Sequence, residues 1–267
     1  KYLGRVLMSK GVLVVTGGAS GIGRACAKLM AKDYDNVVLV DLNENGLSDA
    51  AVEVSDAGGS CSTFVVDVSE ADSIAEIAES VERDLGPVVT LVTSAGILQN
   101  ATTTLDMDLD EHARVWDVNY HGTVYTARAF AQSMTERRKG SIVTVGSINS
   151  YGAFPLPAYC PSKTAILRFT QILAVELGRF GIRVNGVAPT YVLTPALQAR
   201  IEAGVRDANI ILKAGAVEMF VYPENIADVV AFLCSDKAAA VSGTMMPVDA
   251  GWEAATLYRN YAGGVPW

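Results

Sequence analysis

Apolar runs alternate along the chain with stretches in which apolar positions recur every three or four residues. The runs at 12–16, 37–41, 62–66, 88–93, 141–146, 182–188 and 244–248 are rich in Val, Ile, Leu and Thr and predict strands. The stretches at 21–32, 45–57, 70–84, 108–136, 157–179 and 223–234 predict helices. In the third of these, Glu70, Asp72, Glu76 and Glu79 oppose Ile74, Ile77, Ala78 and Val81, as a half-exposed helix requires. Strand–helix alternation implies right-handed crossovers and a parallel sheet. Uninterrupted apolar strands imply helices on both of its faces. The expected fold class is therefore α/β, a doubly wound parallel sheet of about seven strands. No linker or charge block divides residues 1–267, so they read as a single domain. Residues 190–222 break the rhythm. So long an insertion is expected to act as a lid, with an added helix pair as the alternative.

Composition narrows the class. Half the residues are hydrophobic and 19% are charged, with a mean hydropathy of +0.27. A sheet covered on both faces, and apolar surface sealed between subunits, would give such values. The net charge of −8 and a pI near 4.8 argue against a nucleic-acid partner, which needs a basic stripe. No apolar run reaches the roughly 18 residues of a membrane span. Val12-Leu13-Val14-Val15 runs straight into a Gly-rich motif and lacks a cleavage site, so it reads as a strand and not as a signal segment. Cys26, Cys61, Cys160 and Cys234 form no CxxC pair, and only His112 and His121 could join them. A metal site is not expected. Scattered cysteines suit a reducing compartment, here the cytoplasm.

Thr16-Gly17-Gly18-Ala19-Ser20-Gly21-Ile22-Gly23 follows the first strand and opens the first helix. Glycines there permit a tight turn, and helix N-terminal N–H groups favour a pyrophosphate. Asp41 ends the second strand 18 positions after Gly23, close to the spacing of a ribose-binding carboxylate. A 2′-phosphate beside Asp41 would cost up to roughly 4 kcal/mol per charge pair at an effective dielectric of about 20. No Lys or Arg follows at Leu42 or Asn43, and Ser20 rather than Arg precedes Gly21. The expected cofactor is NAD.

Tyr159-Cys160-Pro161-Ser162-Lys163 places a phenol and an ammonium one helical turn apart. A phenol of pKa about 10 is too weak an acid for base chemistry at neutral pH. An ammonium at about 4 Å contributes roughly 4 kcal/mol, enough to lower it by about three units. Ser147 follows a buried strand, and its hydroxyl is expected to face the ligand crevice and meet charge developing on a substrate oxygen.

At this point the chain resembles the classical short-chain dehydrogenase/reductase family. The resemblance runs from about residue 10 to residue 252. It rests on TGGASGIG at 16–23, Asp67-Val68, Ala95-Gly96, Asn119, Ser147, the Tyr159/Lys163 pair, Arg183-Val184-Asn185, Pro189 and Val248-Asp249. It implies a single-domain Rossmann-type fold, commonly tetrameric. It assigns Tyr159 as acid/base, Lys163 as phenol tuner and ribose ligand, Ser147 as donor to the substrate oxygen, and Asn119 as holder of a water in a proton relay. Asp67 and Val68 match adenine contacts, and Thr194 the carboxamide contact. Gly17, Ser20, Gly21, Ile22, Gly23, Asp41, Leu42, Ala95, Gly96, Pro189 and Val192 complete the implied cofactor site, with Tyr159 and Lys163.

Three departures stand out. Thr93-Ser94 replaces the family's Asn-Asn, and these hydroxyls are expected to take over some amide hydrogen bonds. Thr190 replaces a Gly, and its Cβ is expected to press on the nicotinamide or shift the lid. Ala250 replaces a Gly, a change expected to matter little.

The reading is an NAD-dependent oxidoreductase that moves a hydride between nicotinamide and the carbon of a small secondary alcohol, polyol or ketone. Ile97, Asn149, Tyr151, Tyr191, Leu197 and Trp252 are the candidate pocket residues, with Asn149, Tyr191 and Trp252 joining Ser147 at the substrate. A 3-oxoacyl thioester reductase is one alternative, opposed by Asp41 and the acidic charge. A non-catalytic NAD-binding regulator is another, opposed by the intact Ser147, Tyr159 and Lys163. The helices at 108–136 and 157–179 carry Val115, Trp116, Val118, Val124, Phe130, Ile166, Leu167, Phe169, Ile172 and Leu173, more than one buried face needs. A homo-oligomer is expected, and the resemblance implies a tetramer. The tail at 253–267, aromatic at Tyr258, Tyr261 and Trp267, is expected to dock on its own subunit or a neighbour's.

Overall fold

The computed structural model describes residues 10–264. Seven parallel strands form one sheet in the order β3-β2-β1-β4-β5-β6-β7. They are β1 (Val12–Thr16), β2 (Asn36–Asp41), β3 (Cys61–Val65), β4 (Val88–Thr93), β5 (Gly140–Val145), β6 (Ile182–Pro189) and β7 (Met245–Val248). Each lies within a residue of its expected bounds. Strand order reverses direction between β1 and β4, which makes that edge the switch point where ligands of doubly wound sheets bind.

Alternation within the central strands feeds two cores. Val12, Val14, Val38 and Val40 join one core, and Leu13, Val15, Val37 and Leu39 join the other. The first is covered by α3 (Ala71–Asp84), α5 (Gly122–Arg137) and α6 (Tyr159–Gly178). The second is covered by α1 (Gly21–Leu29), α2 (Glu44–Asp56) and α9 (Pro223–Cys234). On α3 the buried residues are Ile74, Ile77, Ala78 and Val81, the face expected from periodicity. The thiols of Cys26 and Cys160 are buried, those of Cys61 and Cys234 partly so, and all four are free.

The helix expected at 108–136 is interrupted. α4 (Leu109–Trp116) gives way to a π-helical turn over Asp117–His121, and α5 comes after it. An extra residue in one turn re-aims the side chains beside it, and such turns gather at functional sites.

The 190–222 segment is a helix pair. Thr194 caps α7 (Pro195–Glu202) by accepting from the Leu197 N–H at 3.3 Å, and Pro195 opens it. Asp207 caps α8 (Ala208–Leu212) through the N–H groups of Asn209 and Ile210. A parallel bridge between Val192 and Val221 closes the base of the segment.

The tail begins as a helix, α10 (Trp252–Arg259), held at its start by both carboxylate oxygens of Asp249. Arg259 donates to the carbonyls of Lys213, Ala214 and Gly215, so the tail docks on its own subunit at the end of α8. Tyr261 stays 69% exposed, and Trp267 lies outside the described residues.

Ala250 adopts φ +54°, a left-handed conformation that costs a residue with a Cβ about 1–2 kcal/mol. The replacement is not neutral, contrary to expectation, because the turn before α10 is built for a glycine. Ala250→Gly should raise unfolding free energy by about 1 kcal/mol, read from urea denaturation; an unchanged or lower midpoint would contradict the strain.

Candidate active site

The carboxyl ends of the strands open on one cavity of about 790 Å³. The residues at and just beyond the strand ends build its wall: Gly17 and Ser20 to Ile22 after β1, Asp41 and Leu42 at β2, Asp67 and Val68 after β3, Ser94 to Leu98 after β4, Ser147 after β5, and Pro189 to Val192 after β6. α7 closes one side with Thr194, Leu197 and Arg200. Of the helix pair, α7 therefore borders the cavity, where a lid would lie, and α8 does not. Of the expected cofactor residues, Gly23 alone is absent from the lining.

Two glycines show why the cradle is built as it is. Gly17 sits at φ +69°, and a Cβ there would stand 2.7 Å from the Ala95 nitrogen. A Cβ on Gly23 would run into the Gly17 carbonyl oxygen. The turn is thus pressed between β4 and its own helix. Ser20 makes no side-chain cap on α1, and no acidic residue occupies the first turn. The helix N-terminus and its dipole are left for an anion, which suits a pyrophosphate. Asp41 is held at the wall by the N–H groups of Ala19 (3.2 Å) and Asn43 (3.0 Å). Asp67 accepts from Ser69 and pairs with Arg114 at 2.6 Å. Partial burial opposes its ionisation, yet Ser69 and Arg114 together hold its carboxyl below the usual range.

The expected catalytic residues converge. Ser147 lies just beyond β5, where its Oγ accepts from the Asn149 N–H at 3.1 Å. Its hydroxyl is near enough to the Tyr159 phenol to favour ionisation of that group. Tyr159 is the first residue of α6, and Lys163 comes one turn later. Lys163 Nζ lies over the Tyr159 ring, 5.6 Å from its centroid, and donates to the Val145 carbonyl at 2.9 Å. Asn119 is fully buried in the π-helical turn behind them. Its Oδ1 accepts from Ile97 N–H (2.8 Å) and its Nδ2 donates to Ile97 C=O (3.0 Å). A methyl on Gly96 would stand 3.2 Å from Asn119 Oδ1 and 3.6 Å from Lys163 Nζ, so the four groups share one small neighbourhood.

Comparison with known proteins agrees with this geometry. A family model described as Enoyl-(Acyl carrier protein) reductase matches residues 17–253. The chain belongs to the short-chain dehydrogenase/reductase family. It is 34% identical to galactitol 2-dehydrogenase of Rhizobium johnstonii over 90% of this chain and 93% of that one. It is 33% identical to 2-(S)-hydroxypropyl-CoM dehydrogenase 3 of Xanthobacter autotrophicus over 91% and 96%. A crystal structure of carveol dehydrogenase from Mycobacterium avium in complex with NAD superposes with a TM-score of 0.86 at 25% identity, covering 92% of this chain and 99% of that one.

Several expectations for this short-chain dehydrogenase/reductase need correction. Asn149 and Trp252 do not line the cavity. The Asn149 side chain lies by the Cys160 thiol, whose pKa it lowers. Trp252 stacks behind Tyr191 (5.1 Å, 23°) and against Phe154 (5.7 Å), so it backs the wall that Tyr191 presents. Tyr151 donates to the Met245 carbonyl at 2.6 Å and also stays outside, whereas Ile97 and Leu197 line the space. The Thr93 hydroxyl is buried with no partner among the described residues. Thr190 lines the cavity without a positive φ. Gln99, Arg114 and Arg200 were not foreseen. Arg114 reaches Asp67 from 47 residues away, a separation at which sequence carries no signal.

The main correction is electrostatic. The phenol and ammonium are neighbours as expected, but burial pushes Tyr159 up to about 12, and the nearby Ser147 hydroxyl only partly offsets this. Burial also lowers Lys163 to about 8. For both groups burial is the largest cause. In the protein alone, phenolate absorbance that is present in wild type and missing from Tyr159→Phe should emerge near pH 12; its appearance below pH 9 would show that the lysine dominates.

Proposed function

We propose that this chain is an NAD-preferring dehydrogenase of small secondary alcohols or polyols, working in reverse on the matching ketones. The carrying observation is that Ser147, Tyr159 and Lys163 line the same cavity as the glycine cradle. Ser147 and Tyr159 hold the substrate oxygen. In oxidation the ionised phenol takes the hydroxyl proton while the carbinol C–H bond breaks and the C–O bond becomes a carbonyl. In reduction the phenol returns that proton. Bound NAD supplies the two-electron acceptor and a positive ring whose field favours the ionised phenol. Lys163, at about 8, exchanges protons near working pH, and Asn119 stands behind it on the family's relay route. Ile97, Tyr191 and Leu197 supply an apolar wall suited to a short carbon skeleton.

Asp41 carries the cofactor preference, because its fixed carboxylate accepts from ribose hydroxyls and repels a 2′-phosphate. Self-association is supported by α6, where Ile172 is 49% and Val175 81% exposed. Trp116, Tyr120 and Phe169 cluster beside it. A tetramer through this face fits the family, and four free thiols fit the cytoplasm.

Galactitol and a panel of small secondary alcohols, followed by absorbance of reduced nicotinamide, test the reading. Tyr159→Phe should lower kcat by about 10²- to 10⁴-fold with NAD affinity retained; undiminished turnover would exclude the phenol. Wild type should favour NAD over NADP by about 30-fold or more, equivalent to about 2 kcal/mol. Asp41→Ser should narrow that ratio, and equal use of both cofactors by wild type would refute the preference.

A further inference from the structure

α6 begins without a cap of its own. Its N-cap residue is Ala158, with helical φ and ψ and no side chain able to accept a hydrogen bond. Pro161 in the first turn has no N–H. Cys160 N–H goes to the Leu156 carbonyl and Ser162 N–H to the Ala158 carbonyl. This leaves the N–H groups of Ala158 and Tyr159 itself.

Both donate to one atom, Oε1 of Gln99, at 2.8 and 3.2 Å. Gln99 lies 59 residues upstream of Ala158 in the loop after β4 and is 2% exposed. Its Nε2 is buried with no partner. The amide orientation is fixed by its neighbours, since the reverse would set donors against donors. A buried carboxamide with one satisfied half is a poor packing element, and its satisfied half is spent on the acid/base residue.

The loop that carries Gln99 is itself fixed. Asn119 holds both backbone groups of Ile97, two residues earlier. On the far side, Ser162 Oγ donates to the Tyr159 carbonyl at 2.7 Å. The peptide groups on both sides of Tyr159 are thus held, one by Gln99 and one by Ser162.

We propose that Gln99 is a positioning residue that stands in for the missing cap of α6 and sets the Tyr159 hydroxyl against Ser147. The proposal rests on the acid/base role given to Tyr159. Gln99 touches no reacting atom and acts only through the backbone of Tyr159. Without it the first turn frays and the phenol drifts from Ser147, whose hydroxyl favours its ionisation.

The test uses three variants of the whole chain, with galactitol or the most active alcohol of the panel and with NAD. Gln99→Met keeps the volume and removes the acceptor. Gln99→Asn keeps the amide and loses the reach. Gln99→Glu keeps an acceptor oxygen in place. In Gln99→Met and Gln99→Asn, kcat should fall about tenfold or more, because misplacement by about 1 Å can cost about 100-fold. Their kcat–pH midpoint should move to higher pH, while NAD affinity by titration calorimetry stays within about twofold. Gln99→Glu should recover most of kcat and the wild-type midpoint. Wild-type turnover and midpoint in either Gln99→Met or Gln99→Asn overturns the proposal. So does a parallel loss of kcat and NAD affinity in all three, which marks general destabilisation. Undiminished turnover in Tyr159→Phe would instead remove the reading beneath it, whatever the Gln99 variants show.

Discussion

A buried ammonium holds the site to the sheet. Lys163 is 5% exposed and donates to the carbonyl of Val145, the last residue of β5. A buried amine so placed must keep its acceptor, since losing it would leave a polar group unpaired in apolar surroundings. α6 is therefore bound to the carboxyl edge of the sheet at the point where Ser147 follows β5. The same contact sets the Lys163 head over the Tyr159 ring. Serine lies after β5 and tyrosine and lysine on α6, and this bond joins those from Thr144 to Thr170 and from Ser150 to Lys163 in keeping them in register.

Around that bond the chain supports its site by borrowing. Asn119 holds the loop after β4, that loop holds the start of α6, and Asp67 is held by Arg114 from α4. The π-helical turn between α4 and α5 is where Asn119 sits. The cofactor cradle is handled differently. Its working groups are backbone N–H groups, and the sequence contributes mainly by omitting side chains at Gly17 and Gly23 and a cap at Ser20.

Much of this was legible because of how the strands are buried. A strand covered on both faces is apolar along its whole length, so run length and strand length agree to within a residue for β1, β2, β4, β5 and β6, whereas β3 is a half-exposed edge strand. Groups fastened to strand ends, such as Asp41 and Ser147, were legible for the same reason. The π-helical turn was not, because one extra residue hardly disturbs the apolar period of 108–136. The short helix α8 is too brief to show a period, although Thr194-Pro195 and Asp207 carried start signals for α7 and α8. Contacts such as Gln99 to Tyr159 depend on two loops meeting in space and leave no local trace. The phenol pKa went astray for a related reason: spacing reveals a charged neighbour but not how thoroughly water is excluded from the pair.

Arg259 joins two segments that sequence places far apart. Its guanidinium gathers the carbonyls of Lys213, Ala214 and Gly215 at 2.7, 3.0 and 2.8 Å, and α10 also carries the Trp252 ring that backs Tyr191. Outward swing of α8 must either drag α10 along or leave a cation and three oxygens to find water instead. α8 and α10 are thus fastened to each other at three points, and neither can shift alone without giving up those bonds.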